Sequence, residues 1–189
     1  PLGVLPRREI DPADGTAGAK LTVPESIAIL RYFGRQGGLY PDDAVMALQV
    51  DSIINTLKDA AKAIETSVQG PVKNLLSDES WSKEEVAKIR ERIVTNKDSG
   101  LPLYLGYLNK LLEENGTGWM VGDSVTIADL YALRLTSWIS SGLLDGIPPT
   151  VLDDYPLVKA NLERVESIPQ VQEFRKNHPK PYNTFNFAA

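Results

Sequence analysis

The chain has 189 residues, a formal net charge of -5 and no cysteine, with 42% hydrophobic and 24% charged residues. These values are typical of a soluble globular protein with enough length to bury a core, and the acidic balance argues against nonspecific binding to nucleic acid or to anionic membranes. Without cysteine, a disulfide framework, a thiolate nucleophile and a thiolate metal site are excluded, and no apolar run is long enough to cross a bilayer.

The first predicted elements are a short β-hairpin and a helix. Arg7–Ile10 and Lys20–Val23 carry strand signals, and the residues between them are rich in Asp, Gly and Pro. Pro24-Glu25-Ser26 opens the helix, which runs to about Arg35 and is ended by Gly37-Gly38. Since an isolated hairpin is marginal in water, we expect the rest of its sheet to lie upstream of Pro1, in a longer protein.

These residues carry a resemblance to a known family. From Leu5 to Phe33 the chain resembles the second half of the thioredoxin-like domain of glutathione S-transferases. The similarity is closest to the sigma-like class, which includes glutathione-dependent prostaglandin isomerases. In this family a cis proline follows a residue whose backbone pairs with glutathione, and Pro6 and Leu5 match those two positions. A Gln-Ser or Glu-Ser pair at the next helix start holds the γ-glutamyl end, and Glu25-Ser26 matches it.

The chemistry of Glu25 and Ser26 fits that role on physical grounds. A helix N-terminus offers free amides and a positive dipole end to a carboxylate, a serine hydroxyl adds a donor, and a glutamate accepts from an ammonium group. The alternative is that Ser26 is a plain N-cap and Glu25 a first-turn acid favoured by the helix dipole. For Pro6 taken alone, the alternative is an ordinary trans proline.

A long helix is predicted from Asp42 to Ser67. Its apolar positions are Val45, Leu48, Ile53, Leu57, Ile64 and Val68. The resemblance implies that Asp59 reaches the glutathione amino group bound by a partner subunit, and therefore that the protein is a homodimer. The alternative for Asp59 is a solvated charge paired with Lys62 one turn on. Asn55 and Lys58 stand where metal-responsive sigma enzymes carry aspartates, and no metal site is predicted.

Two capping boxes mark later helix starts. Ser82 with Glu85 begins a helix that continues through Ile93, is interrupted at Ser99–Pro102 and ends near Asn115–Gly118. Thr126 with Asp129 begins a helix that is apolar on almost every side, which predicts a buried central helix. Both residues match the second-domain signature of the family, where this box is a folding determinant. Asp129 is therefore predicted to hold the fold and to have no catalytic role.

Prolines mark the predicted starts of the last two helices. Tyr155-Pro156 begins one that runs to Ser167, and Pro169 begins another that ends near Asn177. Their predicted core contacts are Leu157, Leu162, Val165, Ile168, Val171 and Phe174. His178, the only histidine, is predicted to be solvated, and with no cysteine in the chain a histidine-based triad or a Cys/His zinc site is very poorly supported.

The fold class predicted from the resemblance is α+β by content and mostly α. Residues 1–38 correspond to the second half of a thioredoxin-like glutathione-binding domain, and residues 39–189 to the all-helical C-terminal domain of the family.

The function implied by the resemblance is conjugation of the glutathione thiolate to small electrophiles, or a glutathione-dependent isomerisation. Glutathione is the co-substrate, and the expected protein is a cytoplasmic homodimer that binds neither nucleic acid nor membrane. The tyrosine or serine that activates the thiol in the family is expected upstream of Pro1. The alternative is a non-catalytic structural or interaction protein with the same fold, such as a subunit of a larger assembly.

Overall fold

The structure is a computed structural model that describes residues 7–10, 21–68 and 81–178. Over those residues it contains two strands and seven helices. In chain order they are β1 (Arg7–Ile10), β2 (Leu21–Pro24), α1 (Ser26–Gln36), α2 (Ala44–Val68), α3 (Lys83–Thr95), α4 (Leu101–Asn115), α5 (Ile127–Ile139), α6 (Pro156–Glu166) and α7 (Pro169–Asn177). The predicted fold class, mostly helical with a small β part, is confirmed.

The two strands form the predicted hairpin. β1 and β2 pair antiparallel, with Arg7 opposite Pro24 and Ile10 opposite Leu21. The strand residues therefore agree with the sequence prediction to within one position. The predicted loop between them, residues 11–18, lies outside the described residues.

Helix α5 is the central helix of the bundle, as its composition predicts. It packs against α1, α2 and α6. Its buried residues are Ile127, Ala128, Asp129, Ala132, Leu135, Thr136 and Ile139. The capping box at its start is formed: the Thr126 amide donates to Asp129 Oδ2 at 2.9 Å, and the Ala128 amide donates to Thr126 Oγ1 at 3.2 Å. This helix therefore organises the core around which the other elements are placed.

Helix α2 begins where Asp43 caps it, but its buried face differs from the predicted one. Asp43 Oδ1 accepts from the amides of Val45 at 3.0 Å and Met46 at 2.8 Å. Val45 and Leu48 are 65% and 68% exposed, so their assignment to the apolar positions that pack is wrong. At 3.6 residues per turn, Leu48 points about 180° away from Leu57. Among the α2 side chains that the structure describes, the buried ones are Val50, Ile53, Ile54, Leu57, Ala60, Ala61, Ile64 and Ser67. The side chain of Val68, also predicted to be an apolar position, lies outside that description.

Local chemistry explains the boundaries of α3 and α4. At the start of α3, the Ser82 amide donates to Glu85 Oε2 at 2.7 Å and the Glu85 amide donates to Ser82 Oγ at 3.2 Å, which confirms the second capping box. The predicted interruption falls between α3 and α4, and Pro102 occupies the first turn of α4, where it needs no amide hydrogen. Gly116 ends α4 with a φ of 66°, a left-handed conformation that favours glycine.

The two C-terminal helices begin at Pro156 and Pro169 as predicted. Leu162 and Val165 are buried, in agreement with the prediction, but Leu157 is 38% exposed and Phe174 is 45% exposed. Val158 is buried in place of Leu157, so the inward face of α6 is shifted by one residue. The prediction that Leu157 and Phe174 are core contacts is therefore wrong.

A close contact fixes α1 on the helical bundle. A Cβ added at Gly34 would lie 2.6 Å from Ile127 Cγ2, so only glycine permits this approach of α1 to the start of α5. The Ile127 amide donates to the Leu39 carbonyl at 2.9 Å, which ties the residues after α1 to the same point. The position of the α1 start is thus set by the central helix. Within the described ranges, no helix combines the length and hydrophobicity needed to span a bilayer.

Candidate functional site

The start of α1 contains a strained glutamate. Glu25 has φ 77° and ψ 103°, and among the described residues it is the one non-glycine residue with a positive φ. Its carbonyl accepts from the Ile29 amide at 3.1 Å, so Glu25 occupies the N-cap position. A backbone of this kind costs roughly 1–3 kcal/mol, and residues strained in this way cluster at active sites, ligand clamps and switch regions.

Ser26 is exposed and is the first residue of α1. No side-chain hydrogen bond caps the helix start. The alternative that Ser26 is a plain N-cap is therefore wrong, and so is the alternative that Glu25 is a first-turn acid, since Glu25 precedes the helix. The amides of the first turn point out of the helix start and meet no capping side chain, which is the arrangement that binds a carboxylate or a phosphate.

Neighbouring helices hold α1 in place beneath this start. Arg31 Nε donates to Asp51 Oδ1 at 2.8 Å, which links α1 to α2. Both side chains are about one-third exposed, so this ion pair contributes less than about 1 kcal/mol. Together with the Gly34 contact to α5, the ion pair fixes the direction in which the open start of α1 faces.

Of the other residues predicted to bind glutathione, only Asp59 is among the described residues, and it is not assembled with Glu25 and Ser26. Leu5 and Pro6 lie outside the described residues. Asp59 is exposed on α2, and no hydrogen bond or ion pair in the described part of the chain joins it to Glu25 or Ser26. Among the described residues, the predicted ligands that lie together are therefore Glu25 and Ser26.

A cleft between α5 and α7 was not predicted from the sequence. It has a volume of about 320 Å³. Its lining residues are Leu130, Leu133, Arg134 and Ser137 of α5 and Gln170, Val171, Phe174 and Arg175 of α7. The spacing of these residues on each helix, three and four apart, is the signal that could have identified two facing stripes. The predicted glutathione ligands that the structure describes, Glu25, Ser26 and Asp59, do not line this cleft.

The fold and the helix start together define a class of protein in which a β-hairpin and a helix with an uncapped N-terminus pack on an all-helical bundle. The family model described as "Glutathione S-transferase, C-terminal domain" matches residues 73–178. The chain is also 34% identical to glutathione S-transferase 1 of Ascaris suum over 184 residues, which covers 96% of this chain and 78% of that protein. The chain therefore belongs to the glutathione S-transferase family.

Two further relatives bear on the activity and on the assembly. Human hematopoietic prostaglandin D synthase is 27% identical to this chain, over 95% of this chain and 75% of that protein. The crystal structure of a monomeric glutathione S-transferase from the hookworm Necator americanus superposes with a TM-score of 0.67 at 26% identity, and the match covers 96% of this chain and 78% of that one.

Proposed function

We propose that this protein transfers glutathione to small electrophiles and that Glu25 and Ser26 hold the γ-glutamyl end of the co-substrate. The observation that carries the proposal is the strained Glu25 backbone at the exposed, uncapped start of α1. Membership of the glutathione S-transferase family supports the same function.

The two charged groups at the end of the γ-glutamyl moiety, a carboxylate and an ammonium group, match the two halves of this site. The α-carboxylate of glutathione accepts from the first-turn amides and from the Ser26 hydroxyl, where the helix dipole is positive. The ammonium group beside it donates to the Glu25 carboxylate. The Leu5 backbone, placed by Pro6, completes the proposed grip by pairing with the peptide backbone of glutathione.

The reaction needs no cysteine from the protein, because the nucleophilic sulfur belongs to glutathione. The glutathione thiolate attacks the electrophilic carbon, a carbon–sulfur bond forms, and a leaving group such as chloride departs with its electron pair. A free thiol is only a few per cent ionised at neutral pH, so a group that lowers the thiol pKa is needed. We place that group outside the described residues.

The finer class that we propose is sigma-like, with glutathione-dependent isomerisation as a second activity of the same site. The similarity to human hematopoietic prostaglandin D synthase favours this class. Isomerisation and conjugation share the bound thiolate, and they differ in whether the sulfur leaves again. An assay of both reactions on the same preparation therefore distinguishes the two activities.

Replacing the strained residue should separate stability from binding. Glu25→Gly is expected to raise the free energy of unfolding by about 1 kcal/mol, because relief of the backbone strain exceeds the added entropy of glycine in the unfolded chain. The same change removes the carboxylate and should weaken glutathione binding by about tenfold. Urea denaturation and isothermal titration with glutathione measure the two effects.

The matched control for this change is Glu84→Gly, because Glu84 is an exposed glutamate in the first turn of α3. There glycine should cost about 1 kcal/mol of stability and leave glutathione affinity unchanged. If Glu25→Gly and Glu84→Gly lose the same free energy of unfolding, the backbone of Glu25 is not strained.

For the assembly we propose a cytoplasmic homodimer in which residues 1–38 form the glutathione-binding part and residues 39–189 the helical domain. In this arrangement Asp59 of one subunit reaches the ammonium group of glutathione held at Ser26 of the other. The exposure of Asp59 on α2 supports this role. Because one relative is monomeric, the role proposed for Asp59 depends on a measurement of the oligomeric state of this protein.

Asp59→Ala should weaken glutathione binding about tenfold, through loss of one charged hydrogen bond, and leave the dimer intact. Light scattering and glutathione titration on the same sample measure both quantities. A protein that binds glutathione as a monomer removes Asp59 from the site, and the proposal for the helix start then stands alone.

A further inference from the structure

Asn115 is the last residue of α4, and its side-chain amide holds the loop that follows. Nδ2 donates to Thr117 Oγ1 at 2.7 Å, to the Trp119 carbonyl at 2.8 Å and to the Gly122 carbonyl at 2.7 Å. The Thr117 hydroxyl in turn donates to the Gly122 carbonyl at 2.7 Å. Because the hydroxyl hydrogen is already used and carbonyl oxygens only accept, all three contacts require an N–H donor from Asn115.

The loop that Asn115 holds also carries Met120 to the buried Asp129. Met120 is buried, and its amide donates to Asp129 Oδ1 at 2.9 Å. Gly122, in the same loop, has a φ of 69°, and a Cβ added there would lie 2.5 Å from Met46 Cε, so the loop also packs closely against α2. A chemical change at Asn115 would therefore disturb the contacts that fix the start of the central helix.

Asn115 is the one asparagine in the 189-residue sequence that is followed by glycine. An asparagine in this position is prone to deamidation, because glycine has no side chain to block attack by its own backbone nitrogen. In this reaction the Gly116 nitrogen gives up its proton and forms a bond to Asn115 Cγ, while Nδ2 takes up a proton and leaves as ammonia. Water then opens the cyclic imide to aspartate or isoaspartate.

The native fold opposes both movements that this reaction requires. The Gly116 amide donates to the Leu112 carbonyl at 3.0 Å, so the attacking nitrogen is committed to the end of α4. The three contacts of Nδ2 keep the Asn115 side chain directed toward the loop that follows. Attack on Cγ therefore requires that the end of α4 and the loop open together.

We propose that Asn115 is a deamidation site that the native fold conceals and that unfolding exposes. Once formed, aspartate has no N–H donor, and its carboxylate faces the carbonyl oxygens of Trp119 and Gly122. A period of unfolding therefore leaves a permanent mark that lowers the stability of the refolded protein. The inference goes beyond the proposed transferase function and does not depend on it, because none of these contacts involves Glu25 or Ser26.

Mass spectrometry of tryptic peptides tests the chemistry on the unchanged protein, incubated at mildly alkaline pH with and without guanidinium chloride. Asn115 is the one asparagine of the peptide 111–134, and Asn96, which precedes Lys97, is the one asparagine of the peptide 93–97. Conversion of Asn115 should be at least about tenfold slower in the native protein than in the unfolded one. Asn96 should keep its amide in both samples.

The matched pair of variants Asn115→Asp and Asn96→Asp tests the consequence. Asn96 ends α3, and its Oδ1 accepts from the Asp98 amide at 2.9 Å and from the Ser99 amide at 3.1 Å, contacts that a carboxylate retains. Asn115→Asp should lower the Tm by about 5–10 °C, since it replaces a donor with a charged acceptor. Asn96→Asp should change the Tm by less than about 2 °C.

Three results would overturn the proposal. They are equal conversion of Asn115 in native and unfolded protein, conversion of Asn96 as fast as that of Asn115, and equal shifts of Tm in the two variants. The chemical measurement does not require Asn115→Asp to fold, so it decides the matter for that site by itself if this variant is recovered only in unfolded form.

Discussion

Replacing Asp129 with alanine is expected to lower the free energy of unfolding by roughly 3–5 kcal/mol. The side chain has no exposed surface. Its Oδ1 accepts from the Met120 amide and from Asn161 Nδ2, each at 2.9 Å. Its Oδ2 accepts from the Thr126 amide at 2.9 Å and from the Thr126 hydroxyl at 3.0 Å. Alanine removes all four acceptor contacts at once.

The size of this effect follows from what remains buried after the change. The amides of Met120 and Thr126 cannot turn away from the site, because both belong to fixed backbone at the start of α5 and before it. A buried donor without an acceptor costs about 1–3 kcal/mol, and two such donors add to the loss of the cap itself. The loop that contains Met120, the start of α5 and helix α6 also lose the one side chain that contacts all three.

The chain supplies a matched control in its other capping box. Glu85 plays the same part for Ser82 at an exposed helix start, so Glu85→Ala should cost only about 0.5–1 kcal/mol. Urea denaturation of the two variants measures both values. Equal shifts of the two midpoints would mean that Asp129 acts as an ordinary cap and that its contacts with Met120 and Asn161 contribute nothing measurable.

Local chemistry accounts for the parts of the fold that the sequence predicts well. The two capping boxes, the prolines in the first turn of three helices and the left-handed Gly116 each depend on residues within one turn of each other. Such signals are readable without knowledge of the fold. The predicted helix starts therefore agree with the structure.

The errors come from features that only tertiary packing determines. Val45 and Leu48 are apolar, but α2 buries the face that packs against α5, and both residues lie off that face. Asn161 is one of the three residues that donate to Asp129, but it lies 32 residues further along the chain, and no local pattern identifies it.

The same limit applies to the functional sites. The residue types of Glu25 and Ser26 suggest a ligand, but the positive φ of Glu25 is imposed by the surroundings and is not a preference of glutamate. The cleft between α5 and α7 requires two helices to face one another although 29 residues, 140–168, lie between them in the chain. Its arginines are therefore ordinary surface residues when the sequence is considered alone.

The strongest effect on glutathione binding is expected from a negative charge at the helix start. Ser26→Asp should weaken glutathione binding by about a hundredfold, because it removes a donor and puts a carboxylate next to the carboxylate of the ligand. Two like charges about 4 Å apart near a protein surface repel by several kcal/mol before screening, so a loss of this size is conservative. Ser26→Ala should weaken binding only about tenfold, since it removes the donor alone.

Ser26→Asp should not destabilise the fold, so its effect on glutathione binding can be separated from any effect on stability. An acidic residue in the first turn of a helix interacts favourably with the dipole, so Ser26→Asp should keep or slightly raise the free energy of unfolding, by up to about 1 kcal/mol. Ser52→Asp is the matched control, because Ser52 is an exposed serine within α2. It adds the same charge away from the start of α1 and should leave glutathione affinity unchanged.

Conjugation of glutathione to chlorodinitrobenzene provides the kinetic measurement. In Ser26→Asp the KM for glutathione should rise with the loss of affinity, and kcat at saturating glutathione should change little, because the changed contact holds the ground state and the transition state equally. Raised salt should reduce the difference between the Asp and Ala variants, since it screens the added repulsion. If Ser26→Asp binds glutathione as tightly as the unchanged protein, the start of α1 does not hold the co-substrate.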